Sequence, residues 1–414
     1  MRTIGQHRDE VAALLAPALA QRGAETVAID TLADGVGAGR GHRVLAAAVT
    51  APVPLPVFDN SQMDGFAVRA AESGRSVRVV DPIPAGAVPV PLAPGTAAPI
   101  MTGARIPEGA DAVVPVEETA PGAFPAALAL AELTVPDGTT TGTFVRTVGS
   151  DVRRGAELAP AGAPVTPALL GTLAAAGIDV VDVVRSVRVL VVSTGSELAD
   201  GGDRGDGHGG SGATIRDANG VALRAALAEV GAAARTVRLT DDVDAFLPAL
   251  EDAVGEWADL VLTTGGISAG AYEVVRQTLE PLGLAVTPVA MQPGGPQALG
   301  RLPLAGRRVP VVAFPGNPVS ALVSFEVFLR PVLAAVVGAP DRVAQELPAA
   351  ESATSPVGKH QVRRGTVVDG RVHFVGGPSS HLLGHLAAAT HLVHVPVGTD
   401  TVEPGDPLTV WSLR

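Results

Sequence analysis

The chain has 414 residues, 47% of them hydrophobic and 17% charged, so it is too long for one ordinary domain and well supplied with core material. It contains no cysteine, which excludes disulfides, thiolate metal sites and cysteine nucleophiles together. A net charge of −12 argues against broad nucleic-acid binding. The start, "MRTIGQHRDEVAALLAPALAQRG", reads as too polar for a signal peptide. No apolar run approaches the roughly 18 residues of a membrane span, so no membrane partner and a cytoplasmic location are expected.

In chain order, residues 7–20 read as a short amphipathic helix weakened by Pro17. Residues 51–145 are rich in proline and glycine, with short β runs such as "SVRVV" (76–80) and "DAVVPV" (111–116), and read as a small β domain. A helix is expected from Thr166–Pro167 to Gly177. From 185 the pattern alternates. Strands are expected at 186–195, 234–240, 259–266 and 309–316, and helices at 219–230, 244–254, 271–282 and from Asn317–Pro318 onward. Such alternation predicts a doubly wound parallel sheet with helices on both faces. After about 336 the chain turns β again, with a hairpin around Asp369–Gly370 and strands at 391–398 and 406–413. The expected organisation is a discontinuous N-terminal and linker domain (1–50 and 146–184), a β domain (51–145), an α/β domain (185–335) and a C-terminal β-barrel-like domain (336–414).

Ligands of open α/β sheets bind beyond the carboxyl ends of the strands. Those ends are "STGSE" (193–197), "TDD" (240–242), "TTGGISAG" (263–270) and "FPGNP" (314–318). Gly265, Gly266 and Ser268 would bring backbone N–H groups to an anion, and Asn317 sits at the positive end of a helix dipole. Glu197, Asp241, Asp242 and Glu273 add oxygens suited to Mg²⁺. Each loop alone could be a plain tight turn; four on one rim favour a site. "GHGGSGAT" (207–214) has phosphate-loop glycine spacing, but Ala213 occupies the lysine position, so it reads as a flexible insert. "PVFDNSQMDGFAV" (56–68) places Asp59 and Asp64 around a turn, either a solvated Asx-turn or a polar loop aimed into a cleft. "PIMTGARIPEGADAVVP" offers Thr102 in a similar setting, and "GSDVRRG" puts Asp151 beside two arginines. Histidines 381, 385, 391 and 394 cluster without a cysteine or carboxylate nearby and read as partly buried polar residues rather than a metal site.

The set "FDNSQMDGFAV", "IMTGARIPEGADAVV", "VGSDVRRG", "VSTGSEL", "TTGGISAG" and "FPGNPVSA" resembles, in order and spacing, the molybdopterin molybdenumtransferases, the MoeA family that includes the gephyrin E domain. The resemblance covers about 50–330 and is specific; the C-terminal "SSHLLGHLAAA" matches loosely. It implies a homodimer, an α/β molybdopterin-binding domain flanked by two β domains and a discontinuous linker, and an active cleft between the α/β domain of one subunit and the 51–145 domain of the other. The implied reaction inserts molybdate into the dithiolene of molybdopterin. The substrate is the AMP adduct made upstream by a molybdopterin adenylyltransferase, and AMP is released with help from Mg²⁺. Matching motifs imply catalytic roles for Asp64, Thr102, Asp151, Glu197 and the acid at Asp241 or Asp242. They imply Glu197 and Asp242 as metal ligands, and substrate contacts at Pro315, Pro318 and Ser380.

Two departures stand out. Glu273 replaces the aspartate that often ends the family's glycine loop. "QPGGP" replaces the family's "KPGKP", so Gln292 and Gly295 stand where two lysines are expected. That stretch, "MQPGGPQALG" (291–300), reads as a neutral ligand loop in which the N–H groups of Gly294 and Gly295, a metal, or an arginine such as Arg301 would meet the anion. Lys359 is the only lysine of the chain. Two other readings remain: a catalytically weakened paralog that binds molybdopterin or scaffolds a partner, and a nucleotide-dependent enzyme on the same rim, which leaves "FDNSQMDGFAV" unexplained.

Overall fold

The structure is a computed structural model and describes residues 1–37, 42–195, 198, 215–267 and 273–413. The chain forms two compact units: one of Met1–Thr26, Thr31–Ala46 and Asp182–Arg414, the other of Val27–Asp30 and Ala47–Val181.

The smaller unit is built on five strands, β1 (Gly65–Val68), β2 (Ser76–Val79), β3 (Thr96–Ile100), β4 (Ala112–Pro115) and β5 (Glu132–Thr134), in the order β4-β1-β3-β2-β5. Every residue of β1, β3 and β4 is buried, which explains their near-continuous apolar sequence. Phe66, Val68, Val77 and Val114 fill one core. Gly65 is demanded by packing: a Cβ there would lie 2.1 Å from the Val114 carbonyl oxygen. The glycine of "MDGF" therefore lets β1 approach β4 and fixes Asp64 at the strand's start. The helix Pro167–Ala175 begins as expected, with Thr166 accepting from the Leu169 N–H at 3.2 Å.

The larger unit carries a six-stranded sheet of β6 (Arg188–Thr194), β7 (Ala233–Leu239), β8 (Leu260–Thr264), β9 (Ala285–Pro288), β10 (Pro296–Leu304) and β11 (Arg307–Phe314), ordered β7-β6-β8-β11-β10-β9. The first four of that order run parallel, as expected from the alternation. The sheet is mixed, however, because β10 and β9 extend it antiparallel. The expected loop at 291–300 is thus mostly strand: Met291–Gln292 pairs with the C-terminal sheet, and Pro296 begins β10. Proline and glycine in "PQALGRLPL" break the alternation by which a strand is read.

Helices cover both faces, as the doubly wound reading requires. Along β6, Val189 and Val191 pack with Leu223, Leu227, Phe314 and Phe328, while Leu190 and Val192 pack with Phe246, Leu250 and Val275. The first helix, α1 (Ile4–Ala20), starts earlier than expected on a capping box of Thr3 and Gln6 and joins the first of these cores through Val11 and Leu15. Helices α2 (Ala218–Glu229), α3 (Val243–Val254) and α4 (Val274–Leu279) follow β6, β7 and β8. After β11 comes α5 (Pro318–Val337), with a π-helical turn at Phe325–Leu329. This helix is long and apolar enough to cross a membrane, contrary to the sequence reading, but most of it is buried as a core helix.

The C-terminal strands β12 (Ala344–Pro348), β13 (His360–Val368), β14 (Arg371–Phe374), β15 (His391–Val395) and β16 (Pro407–Ser412) form a second sheet with Met291–Gln292. The β13–β14 hairpin turns at Asp369 and Gly370, both at positive φ, as their sequence indicates. His394 on β15 is 6% exposed, sits 4.1 Å from the Trp411 ring and shares a 3.0 Å hydrogen bond with His360. Burial depresses His394 to about 3, and burial with the Arg2 charge depresses His7 to about 4.

Both rings are therefore neutral in the fold at neutral pH. The unfolded chain takes up these protons near pH 6.5, whereas the folded chain resists until about 4 and about 3. Stability is full above that unfolded value and falls as pH drops below it, by about 1.4 kcal/mol per pH unit for each histidine. We expect melting temperatures that are flat above about pH 7 and decline toward pH 4, with a shallower decline in His394→Gln. An unchanged slope in that variant would show that the ring is not a source of the loss.

Candidate functional site

Four strand ends converge in the larger unit. β6 ends at Thr194 and Gly195, β7 at Leu239 before Thr240-Asp241-Asp242, β8 at Thr264 before Gly265-Gly266, and β11 at Phe314 before Pro315-Gly316-Asn317. They bound a cavity of about 440 Å³ that also takes in the start of α2. Its floor is tight for side chains. A Cβ on Gly316 would come 3.1 Å from the Gly265 Cα, and one on Gly266 would come 2.8 Å from Val275.

Among the residues expected on this rim, Asp241, Gly265, Gly266, Glu273 and Pro318 line the cavity. Pro315 and Asn317 flank lining Gly316 in the same turn. Asn317 is the N-cap of α5 by position, yet its side chain does not cap, and its Oδ1 is buried without a partner among the described residues. The two neighbouring acids are separated by geometry. Asp242 Oδ1 accepts the N–H groups of Asp244 and Ala245 at 2.9 and 3.1 Å and so caps α3, while Asp241 faces the cavity. Glu197, Ser268 and the 207–214 stretch lie outside the described residues.

Sequence reasoning missed one wall. Arg216, Asp217 and Asn219 line the cavity where α2 begins. Asp217 Oδ1 accepts the Gly220 N–H at 2.8 Å, and Asn219 Nδ2 donates to the Gly316 carbonyl at 2.7 Å, tying α2 to the β11 turn. The signal was an Asp three residues before Gly220, an ordinary N-cap spacing, obscured by the glycine-rich run before it. Thr194 and Thr264 add hydroxyl-bearing side chains to the lining.

Gln292, Gly294, Gly295 and Ser380 belong to the same unit but do not line this cavity. The "QPGGP" turn is held by neutral amides. Gln361 Nε2 donates to Gln292 Oε1 at 2.8 Å. Fully buried Gln297 donates to the Gly294 carbonyl at 2.8 Å and to Ser324 Oγ at 2.7 Å. Arg301, considered from sequence as a substitute cation, donates instead to the Leu14 carbonyl of α1. Arg364 donates to the carbonyls of Gly377 and Ser379, holding the loop that carries Ser380.

In the smaller unit, Asp64 Oδ1 accepts both the backbone N–H and the hydroxyl of Thr102, at 2.6 and 2.8 Å. Those two donations, the backbone one first, hold the Asp64 carboxyl below its ordinary range although it is exposed. Asp59 Oδ1 accepts the Val148 N–H at 2.6 Å. Asp151 is exposed, with its backbone N–H bonded to the Leu55 carbonyl.

A profile described as the MoeA N-terminal region, domains I and II, matches residues 4–177, and one described as a probable molybdopterin binding domain matches residues 190–335. The chain is 42% identical over 391 residues to the molybdopterin molybdenumtransferase 2 of Mycobacterium tuberculosis, covering 89% of this chain and 92% of that protein. It is 34% identical over 386 residues to the molybdopterin molybdenumtransferase of Synechococcus elongatus, covering 90% and 92%. A crystal structure of a molybdopterin biosynthesis MoeA protein from Pyrococcus horikoshii shares the fold with a TM-score of 0.72 at 26% identity, covering 98% of each chain.

The Asp64–Thr102 pair gives a direct test. Thr102→Val removes one of the two donors and should return the Asp64 carboxyl toward its ordinary titration range; Thr102→Ser should hold it low. Carboxylate ¹³C shifts followed against pH read this, and superimposable curves for valine and wild type would reject the hydroxyl's part.

Proposed function

The chain belongs to the MoeA family of molybdopterin molybdenumtransferases, and from that premise we propose that it inserts molybdate into the dithiolene of adenylylated molybdopterin and releases AMP. It is a transferase of molybdenum cofactor biosynthesis that binds molybdopterin. The observation that carries the finer reading is the convergence of Asp241, Glu273, the Gly265–Gly266 turn and the start of α2 on one cavity.

Breaking a phosphoanhydride and delivering an oxyanion asks mainly for positioning and charge stabilisation. The N-terminal turn of α2 offers backbone donors and the positive end of a twelve-residue helix. The narrow glycine floor lets a flat substrate approach main chain. Mg²⁺ binds through one or two carboxylates and keeps several waters. Asp241 and Glu273 suit it as oxygen donors, with Glu197 as the further ligand that the family resemblance implies. Among the described residues no cluster of three or more His, Asp or Glu could hold a metal by itself. When bound, Mg²⁺ would supply charge neutralisation at the phosphoanhydride. Asp64, kept ionised by Thr102, is a fixed anion suited to orienting donors on the substrate.

The proposal includes a homodimer, an adenylyltransferase as the source of substrate, and a cytoplasmic location. The alternative of a paralog that only holds molybdopterin rests on the neutral "QPGGP" turn, and relatives across nine-tenths of the chain are named as transferases.

Molybdate-dependent AMP release from adenylylated molybdopterin is the test. Wild type should turn over, and Asp241→Asn and Glu273→Gln should each slow release by roughly 100-fold, the scale of a misplaced reacting group. Binding without release in wild type would favour the scaffold reading. Full activity in both variants would remove these acids from the mechanism.

A further inference from the structure

The cavity poses an electrostatic problem. Its described lining carries three carboxylates, Asp217, Asp241 and Glu273, on a chain of net charge −12, and its substrate under the reading above is a phosphate-bearing anion. The "QPGGP" turn is neutral, and Arg301 is engaged with the Leu14 carbonyl. One described lining residue is a cation, Arg216.

We propose that Arg216, with the hydroxyl of Thr264, grips the phosphate of the pterin substrate in this cavity. The inference rests on the molybdopterin reading and goes beyond it in naming the residues that recognise the phosphate. The observations are independent of each other. Arg216 is exposed, immediately precedes the N-cap of α2, and has no hydrogen bond or ion pair among the described residues. Its neighbour Asp217 lines the same cavity, with Oδ1 accepting the Gly220 N–H and so held at the helix cap. Several other arginines of the same unit are engaged: Arg22, Arg307 and Arg364 donate to backbone carbonyls, and Arg185 and Arg342 fork onto carboxylates. A guanidinium left available beside an anion site matches phosphate geometry bidentately.

Thr264 is the second observation. It lines the cavity, is 2% exposed, and keeps its Oγ1 buried with no partner among the described residues. A buried hydroxyl without a partner is costly, and a phosphate oxygen accepting from it would relieve that cost. Arg216 thus meets the anion from the start of α2 and Thr264 from the end of β8. Asp241 and Glu273 line the same cavity.

The test measures binding by the full-length chain of purified molybdopterin and of its dephosphorylated form, in the presence of Mg²⁺. Arg216→Ala should weaken molybdopterin roughly 10- to 100-fold, the range for a lost charge-assisted hydrogen bond, and leave the dephosphorylated form unchanged. Arg216→Lys should recover part of the loss, and Thr264→Val should weaken only the phosphorylated ligand. Equal affinities of wild type and Arg216→Ala for molybdopterin would overturn the inference, placing the phosphate on the metal instead. Equal losses for both ligands would also overturn it. Failure of wild type to bind either ligand would overturn the functional reading beneath it, so the two failures are distinguishable. Arg216 is exposed, so the alanine variant should keep the wild-type melting temperature, and a lowered one would count against it as a clean probe of phosphate.

Discussion

Everything at the site depends on the close approach of main chain at the ends of β8 and β11. Gly265 and Gly316 meet so tightly that a Cβ on the second would crowd the Cα of the first. Two adjacent parallel strands can end side by side in this way only if neither places a side chain between them. The result is a floor of backbone, open to a flat ligand, with polar side chains raised only around its edge. Asn219 bonds the Gly316 carbonyl from above and so ties the position of α2 to that floor. The caps of α2 and α3 follow the same economy, each using one carboxylate to satisfy helix N–H groups that would otherwise be bare.

In the same unit, of a chain whose cations are nearly all arginine, several of the described arginines are tied to main chain. Arginines act as struts. Arg8 donates to Val327 O at 2.9 Å, a carbonyl within the π-helical turn of α5, where the normal ladder is interrupted. Arg307 reaches the Gly255 and Ala258 carbonyls, and Arg22 the carbonyls of Leu19 and Arg185. Guanidinium suits this work because it offers five donors in a fixed plane and satisfies buried carbonyls without needing a carboxylate. The neutral amides around "QPGGP" extend the pattern: Gln292, Gln297 and Gln361 satisfy that turn by hydrogen bonding alone.

How far the sequence could be read follows from which forces are local. Val–Leu runs such as "RVLVV" announce buried strands, the alternation with helices gives the parallel core, and Asp369–Gly370 gives its hairpin, because period, burial and turn chemistry are written in neighbouring residues. The rim was legible for the same reason, since glycine and hydroxyl residues follow each strand. What stayed hidden was set by partners distant in sequence. β10 is a strand because β11 and β9 pair with it, although its own prolines and glycine argue against it. The long helix Pro318–Val337 was legible from its Asn317–Pro318 start, but its burial as a core helix is set by residues distant in sequence. Arg216 and Asn219 sit beside a glycine-rich stretch that drew attention away from them, and only the Asn219–Gly316 bond reveals their place.

Asp241 and Asp242 carry this argument to its end. They are the same residue type, adjacent, at the end of one strand, and no local rule chooses between them. The choice is made by helix α3, whose first turn needs an acceptor. Asp242 meets two of its N–H groups and is held against the backbone. A carboxylate used that way keeps its charge but loses its freedom, because reorienting toward a ligand would leave those N–H groups bare. Asp241 is thereby the acid of the pair that faces the cavity. One acid caps the helix and the other lines the cavity, a division made by a difference of one residue in register.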